Sequence, residues 1–211
     1  MEEATRTVPD EPQSQEEIHE IYCPEEVMEG KLMTKTVRHE SFGRIAGGAG
    51  SMSAELFQSA MVEKGTRTTC EKTNMRINLR TIDFVCMPHP NKRSDGFDYT
   101  EDFDGKQTFG EKSVYLNFKC VVGNGGSQTR TLREVYNFVE GQLQFLQKRQ
   151  DQNLLFANIL DGDVAHNNLN KFEYLRGLPC YSEIASQIYV GDLRGYFTWI
   201  NSYLGRIRRI R

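Results

Sequence analysis

Three polar residues in the middle of the chain, Asp104, Asn117 and Lys119, are spaced so that a fold can bring them together. Asp104 closes the segment 97–103, which is predicted to be a short strand. Asn117 and Lys119 alternate along the strand predicted over 113–122, so they share one face of it. The separation of 13 positions from Asp104 to Asn117 allows an antiparallel hairpin. A carboxylate, an amide oxygen and an amine brought together can bind a divalent cation and stabilise negative charge on a phosphate.

Each of these residues also has an ordinary structural interpretation. Asp104 belongs to an Asp-Gly pair, which is typical of a turn. Lys119 is equally compatible with a solvated edge strand. The four histidines lack paired metal-ligand spacing, and none is a catalytic candidate.

Helical and strand periodicities predict the elements that must position these residues. A helix is expected over 53–65, strands over 73–85, 97–103 and 113–122, a helix with a Thr131–Glu134 capping box, and a buried strand over 154–160. A helix near 168–175, a strand near 188–190 and a helix near 193–204 follow. The order helix, strand, strand, strand, helix, strand predicts a mixed α/β sheet flanked by helices, with its last two strands joined through a helix.

This order and the Asp104, Asn117 and Lys119 pattern resemble the PD-(D/E)xK nuclease superfamily, especially type II restriction endonucleases. Asp104 matches the first acid of that family and Lys119 its lysine, whereas Asn117 stands where the family has its second acid. The resemblance covers roughly residues 53–163 and implies a restriction-endonuclease-like αβββαβ core. It includes GGSQTRTLRE (125–134), which looks like the start of a DNA-facing helix.

The resemblance implies a metal-dependent endonuclease acting on double-stranded DNA as a homodimer. Mg²⁺, with Mn²⁺ as a substitute, would be held by Asp104, Asn117 and the backbone carbonyl of Phe118. Lys119 would orient the attacking water or stabilise charge. Glu55 on the first helix is the candidate extra acid, with Asp102 or Glu101 nearer in sequence.

Three residues at the start of the long helix, Gln128, Arg130 and Arg133, are candidates for DNA contacts. Helix N-termini and arginines suit phosphate, and Gln and Arg side chains read base edges in the major groove. A capped helix with exposed charges is the alternative interpretation.

Charge divides the chain unevenly and suggests its domain organisation. Residues 1–30 contain ten acids and one base, a net charge of −9, and the remainder contains 25 bases and 19 acids, a net charge of +6. Residues 1–30 are predicted to be a disordered acidic arm, 31–204 a single domain and 205–211 a basic tail. A positive body of this kind suits polyanionic partners.

Several classes of protein are disfavoured by the composition. No apolar run approaches the roughly 18 residues of a membrane span, and the acidic N-terminus is unlike a signal peptide. Five scattered cysteines without a CxxC pair indicate reduced thiols, so an intracellular protein of the cytoplasm or nucleus is expected.

Two alternatives to an active nuclease stay open at this point. One is a non-catalytic nucleic-acid-binding module, in which Asn117 marks the loss of a metal ligand. The other is an interaction protein whose acidic arm and basic end bind protein partners.

Overall fold

A computed structural model of the protein describes residues 50–88, 90–121 and 126–208. The predicted acidic arm and residues 209–211 lie outside this range. The elements in chain order are α1 (Gly50–Thr66), β1 (Met75–Asn78), β2 (Asp83–Cys86), β3 (Gly105–Phe109), β4 (Lys112–Cys120), α2 (Gly126–Arg149), β5 (Leu154–Asp161), α3 (Asp163–His166), α4 (Leu169–Arg176), β6 (Ile188–Gly191) and α5 (Leu193–Arg208). Short 3₁₀ turns occupy Pro90–Lys92, Gly96–Asp98, Pro179–Tyr181 and Ala185–Gln187.

A four-stranded mixed sheet of order β3-β4-β5-β6 forms the centre of the protein, which confirms a mixed α/β fold. β3 and β4 are antiparallel, whereas β5 is parallel to both β4 and β6. Every residue of β5 is buried, as expected of a continuous apolar run in a sheet covered on both sides. The strands predicted over 113–122, 154–160 and 188–190 are therefore confirmed.

The two faces of β4 and β5 differ in chemistry. The apolar face packs against α1 and α5, and its strand residues are Val114, Leu116, Phe118, Leu155, Ala157 and Ile159. The opposite face, named here the mixed face, lies against α2 and carries Tyr115, Asn117, Lys119, Phe156, Asn158 and Leu160. Alternation along each strand produces this division because neighbouring side chains point to opposite faces.

The long helix α2 packs against the mixed face through an apolar stripe, as its periodicity predicts. Val135, Val139, Leu143 and Leu146 are buried in the same cluster as Phe156. The Thr131–Glu134 capping box is wrong, however, because the helix begins at Gly126 and both residues lie inside it. The polar residues 127–130 contain no helix breaker, so the helix extends through them. It ends before Gln150, whose φ of 55° is left-handed.

A hairpin, rather than one strand, forms from residues 73–85. β1 and β2 pair with each other in a separate two-stranded sheet, with Asn78 opposite Asp83. The Asn78 side-chain oxygen accepts the backbone N–H groups of Arg80 and Thr81, both at 2.9 Å. This asparagine turn interrupts an alternation that otherwise reads as continuous.

The predicted strand over 97–103 is also wrong. It begins with a 3₁₀ turn, and its later residues bond irregularly to β1, with Thr100 N–H donating to Ile77 O at 2.9 Å and Phe103 N–H to Met75 O at 3.0 Å. The regular strand β3 starts only at Gly105. Asp104 therefore precedes a strand instead of closing one, although the antiparallel hairpin toward Asn117 is present.

Gly141 lets the β1–β2 hairpin approach α2 closely. A Cβ atom at this position would lie 2.9 Å from Leu79 Cδ2 and 3.7 Å from Ile77 Cγ2. The first distance is shorter than ordinary carbon contacts, so an alanine here would displace the Leu79 side chain.

The remaining helices lie where the sequence pattern predicts them. α1, α4 and α5 confirm the helices predicted over 53–65, 168–175 and 193–204. α5 continues to Arg208, so the first part of the predicted basic tail is helical. Among the described helices, none is both long and apolar enough to cross a bilayer. No disulfide joins the four cysteines within the described range.

Candidate functional site

A cavity of about 510 Å³ opens at the mixed face, between β4, α2 and the segment 96–102. Both Asn117 and Lys119 line it, which confirms that they share one face of β4. The other lining residues are Arg76, Leu79, Gly96, Phe97, Tyr99, Thr100, Glu101, Asp102, Glu134, Val135, Asn137 and Phe138. The cavity thus combines five charged side chains with an apolar wall.

Lys119 lies near the end of β4 and is paired with Glu101. Its Nζ donates a hydrogen bond to Glu101 Oε2 at 2.6 Å. The Lys119 side chain is 20% exposed and that of Glu101 is 65% exposed. The ammonium group is therefore held at the cavity by a carboxylate that is itself open to solvent.

A second ion pair also lines the cavity. Arg76 in β1 donates to both oxygens of Asp102, with its Nη2 at 2.9 Å from Oδ2. The Arg76 side chain is only 11% exposed, so this bidentate pair is partly desolvated and more rigid than a surface pair. Arg76 fixes the segment that carries Glu101 and Asp102 against β1.

Asn117 belongs to a fully buried cluster of three amides. Its Nδ2 donates to Asn158 Oδ1 at 3.2 Å, and Gln142 Nε2 donates to the same oxygen at 3.1 Å. Asn158 Nδ2 in turn donates to Gln142 Oε1 at 2.8 Å. All three residues have no exposed surface. The Asn117 Oδ1 atom has no hydrogen-bond partner among the described residues.

Asp104 lies at the backbone of β4 rather than in the lining of the cavity. Its Oδ2 accepts the N–H of Phe118 at 2.7 Å. The N–H and C=O of one strand residue point to the same side, so the Phe118 carbonyl is expected on the Asp104 side of β4. The structure therefore places two of the predicted metal-ligating groups around the peptide that connects Asn117 to Lys119.

The negative charge of Asp104 also reaches a buried thiol on the apolar face. Burial raises the pKa of the Cys70 thiol to about 11, and the carboxylates of Glu63 and Asp104 add to the increase. Cys70 packs against the same cluster as Phe118.

The predicted extra acid, Glu55, lies in α1, and its side chain is outside the described part of the chain. One turn later in the same helix, Gln58 donates to Asp161 Oδ2 at 2.7 Å and to Lys119 O at 3.4 Å. Both partners lie at the ends of their strands. α1 therefore reaches the end of β4 where Lys119 is located, although it covers the apolar face.

The candidate DNA-contacting residues lie in the first turns of α2. Arg130 and Arg133 are exposed, and the side chain of Gln128 is outside the described part. Glu134, which follows Arg133 directly, lines the cavity. The exposed arginines are therefore close in the helix to the cavity wall.

Sequence reasoning missed Arg76, Glu134, Gln142 and Asn158. Only Asn158 carried a readable signal, because it is a polar residue at the centre of the apolar run 154–160. Glu101 and Asp102, named as alternative acids, both line the cavity.

Oxygen donors suitable for Mg²⁺ are present, but they are not a cluster of acids. Within the described residues, no group of three or more His, Cys, Asp or Glu side chains is placed to hold a metal ion. Mg²⁺ keeps several waters and needs only one or two protein carboxylates. The Asn117 Oδ1 atom and the Asp104 carboxylate are oxygen donors of the kind that such a partly hydrated ion takes.

Comparison with family models, with curated proteins and with solved structures finds no match for this chain. The function proposed below therefore rests on the geometry of the cavity and of the residues around it.

Proposed function

We propose that the protein is a metal-dependent endonuclease with a restriction-endonuclease-like core, hydrolysing double-stranded DNA at specific sequences. One observation carries the proposal. β4 presents Asn117 and Lys119 to one cavity, and Asp104 is bonded to the backbone of the residue between them.

The topology supports this assignment. An α-helix precedes the β1–β2 hairpin, β3 and β4 are antiparallel, and α2 connects β4 to the parallel strand β5. This is the order expected of the family, except that its first strand corresponds here to a separate hairpin.

Asp104, Asn117 Oδ1 and the Phe118 carbonyl are the groups that would hold the cation. Bound Mg²⁺ would neutralise charge on the scissile phosphate and make a water more acidic. The Lys119 ammonium, held by Glu101, stabilises the negative charge that develops on the phosphoryl oxygens.

The reaction is a balanced hydrolysis. The water oxygen forms a bond to phosphorus, and the bond from phosphorus to one deoxyribose oxygen breaks. The proton lost by the water passes to solvent by way of the exposed Glu101 carboxylate, and the departing oxygen takes a proton from solvent. The products are a phosphate monoester and a sugar hydroxyl.

DNA would be bound beside the cavity by the exposed Arg130 and Arg133, with Gln128 contributing at the start of α2. A homodimer would place two such sites on the two strands of a palindrome. An intracellular location, where DNA is found, belongs to the same proposal.

Supercoiled plasmid is the direct test, incubated with the full-length protein in Mg²⁺, in Mn²⁺ and in EDTA. We expect discrete metal-dependent fragments, and their loss in the Lys119→Ala variant. Lys112→Ala is the matched control, because Lys112 lies at the other end of β4 and bonds to Gln152 O. Equal cleavage by both variants would exclude the assigned site.

A non-catalytic DNA-binding module is the second candidate, favoured by the neutral Asn117. In that case the protein would shift duplex DNA at low salt, cleave nothing and bind no Mn²⁺ at millimolar concentrations.

A further inference from the structure

We propose that Asn158 and Gln142 are positioning residues that hold the Asn117 amide with its oxygen toward the cavity, as a neutral ligand for a divalent cation. This inference rests on the proposed function and deepens it. On this view, the asparagine at the family's second acidic position is part of a built amide cluster and not the trace of a lost ligand.

The orientation of Asn158 is set by a backbone carbonyl. Asn158 Nδ2 lies 3.4 Å from Tyr189 O, and only a donor can face that oxygen favourably. Exchanging the Asn158 oxygen and nitrogen would place the Asn158 oxygen against Tyr189 O, so that two hydrogen-bond acceptors would face each other. The reciprocal pair with Gln142 could tolerate the exchange, so Tyr189 O decides the matter.

The orientation of Asn117 follows from that of Asn158. Asn158 Oδ1 faces Asn117, and Asn117 must present Nδ2 to donate to it. The Asn117 oxygen is then left without a partner although it is completely buried. Such an unsatisfied buried acceptor destabilises the folded protein unless something binds it.

Three elements fix the cluster in place. Asn117 and Asn158 are paired in the β4–β5 register, and Gln142 comes from α2. Asn117 lines the same cavity as Lys119 and Glu101, whose charges suit an ion–phosphate complex. A fixed oxygen on paired strands loses little conformational entropy when it binds a ligand.

The first test measures Mn²⁺ binding to the full-length protein without DNA, by isothermal titration. Asn158→Leu removes the acceptor that orients Asn117, and we expect its Mn²⁺ affinity to fall about 10–100-fold. Asn158→Asp keeps the oxygen that accepts from Asn117 but places its second oxygen against Tyr189 O, so its Mn²⁺ affinity should fall less than that of Asn158→Leu.

A matched control separates positioning from stability. Gln187→Leu removes a buried amide that donates to Asp151 O and Leu154 O, at the far end of β5. It should unfold more easily than the wild type yet bind Mn²⁺ unchanged. Unchanged Mn²⁺ affinity in Asn158→Leu, or equal weakening in Gln187→Leu, would overturn the positioning role.

The second test does not depend on metal. In Asn117→Asp one carboxylate oxygen opposes Asn158 Oδ1 in a buried position, where the wild type has a donor. The unfolding temperature of this variant at neutral pH should therefore fall relative to the wild type. The charged groups that also line the cavity are Arg76, Glu101, Asp102, Lys119 and Glu134.

Asn137→Asp is the control for that experiment, since Asn137 is exposed and lines the same cavity. It should show no such fall. An Asn117→Asp protein as stable as the wild type at neutral pH would overturn the orientation. Absence of Mn²⁺ binding to the wild type would instead overturn the ligand role and, with it, the metal requirement of the proposed function.

Discussion

The two faces of β4 and β5 are built from alternate residues of the same strands, yet one face packs in an apolar core and the other also lines the cavity. On the apolar face, Leu116, Phe118 and Ile159 pack against apolar residues of α1 and α5. On the mixed face, β4 runs from Tyr115 through Asn117 to Lys119, so the side chains change from aromatic to amide to charged. A strand pair can thus stabilise the fold with one face and still present polar groups with the other.

The mixed face is itself divided along the strand direction. Its first part carries an aromatic cluster, in which the Phe156 ring lies 5.2 Å from Phe103 and 6.0 Å from Phe84. Its second part carries the amide cluster and the cavity. The residues that stabilise the fold and the residues proposed for the reaction are therefore two positions apart on one face. Substitutions in the two parts should affect stability and cleavage separately.

Phe156→Ala should have the largest effect. Phe156 is fully buried among aromatic rings, so its truncation should lower the free energy of unfolding by about 3–5 kcal/mol. Urea unfolding followed by circular dichroism measures this loss. A cost below about 1 kcal/mol would show that the aromatic part of the mixed face is not the stabilising part.

Asp104→Asn should lower the rate of cleavage at least about 100-fold, which is comparable to the loss of one charge-stabilising group at an active site. The amide oxygen can still accept the Phe118 N–H, so the unfolding free energy should change by less than about 1 kcal/mol. Plasmid cleavage rates and urea unfolding measure the two effects. Asp98→Asn, at a carboxylate paired with Arg80 on the surface, should leave cleavage unchanged.

Cys70 should make the apolar face sensitive to alkaline pH. Its thiol pKa is about 11 in the folded protein against an ordinary value of 9.0, so the unfolded chain loses this proton first. The free energy of unfolding should fall between pH 9 and 11, by up to about 2.7 kcal/mol. Urea unfolding across this range, compared with Cys70→Ala, isolates the contribution. Parallel curves for the two proteins would contradict it.

Phe97→Ala should have the smallest effect, which should be a weaker binding of duplex DNA with almost no change in stability. The Phe97 side chain is fully exposed at the cavity, so unfolding should change by less than about 0.5 kcal/mol. Duplex binding at low salt should weaken about fivefold, since an exposed ring that loses water-accessible apolar surface against the DNA contributes about 1 kcal/mol. Tyr174→Ala, at an exposed aromatic residue of α4, is the control. Equal binding by both variants would remove Phe97 from the interface.

Local patterns predicted the sheet and its helices well where period and burial agree. Strict alternation over 113–122 gave β4 and placed Asn117 with Lys119, and the apolar run at 154–160 gave β5. Patterns failed where one side chain redirected the backbone. The Asn78 turn divided a single predicted strand into two, and irregular bonds to β1 replaced the strand at 97–103.

The candidate site was only half predictable, for a physical reason. Asn117 and Lys119 are fixed by the period of one strand, which the sequence shows directly. The bond between Gln142 and Asn158 depends on how α2 lies across β5, and the Arg76–Asp102 pair depends on the hairpin. Neither packing angle is encoded in a local pattern.

The glycine at 141 influences the shape of the cavity through its neighbour Leu79. Leu79, whose methyl would meet any side chain placed there, is also part of the cavity wall. A single added carbon at this glycine would turn Leu79 aside and alter the aperture, without touching any group that performs the chemistry.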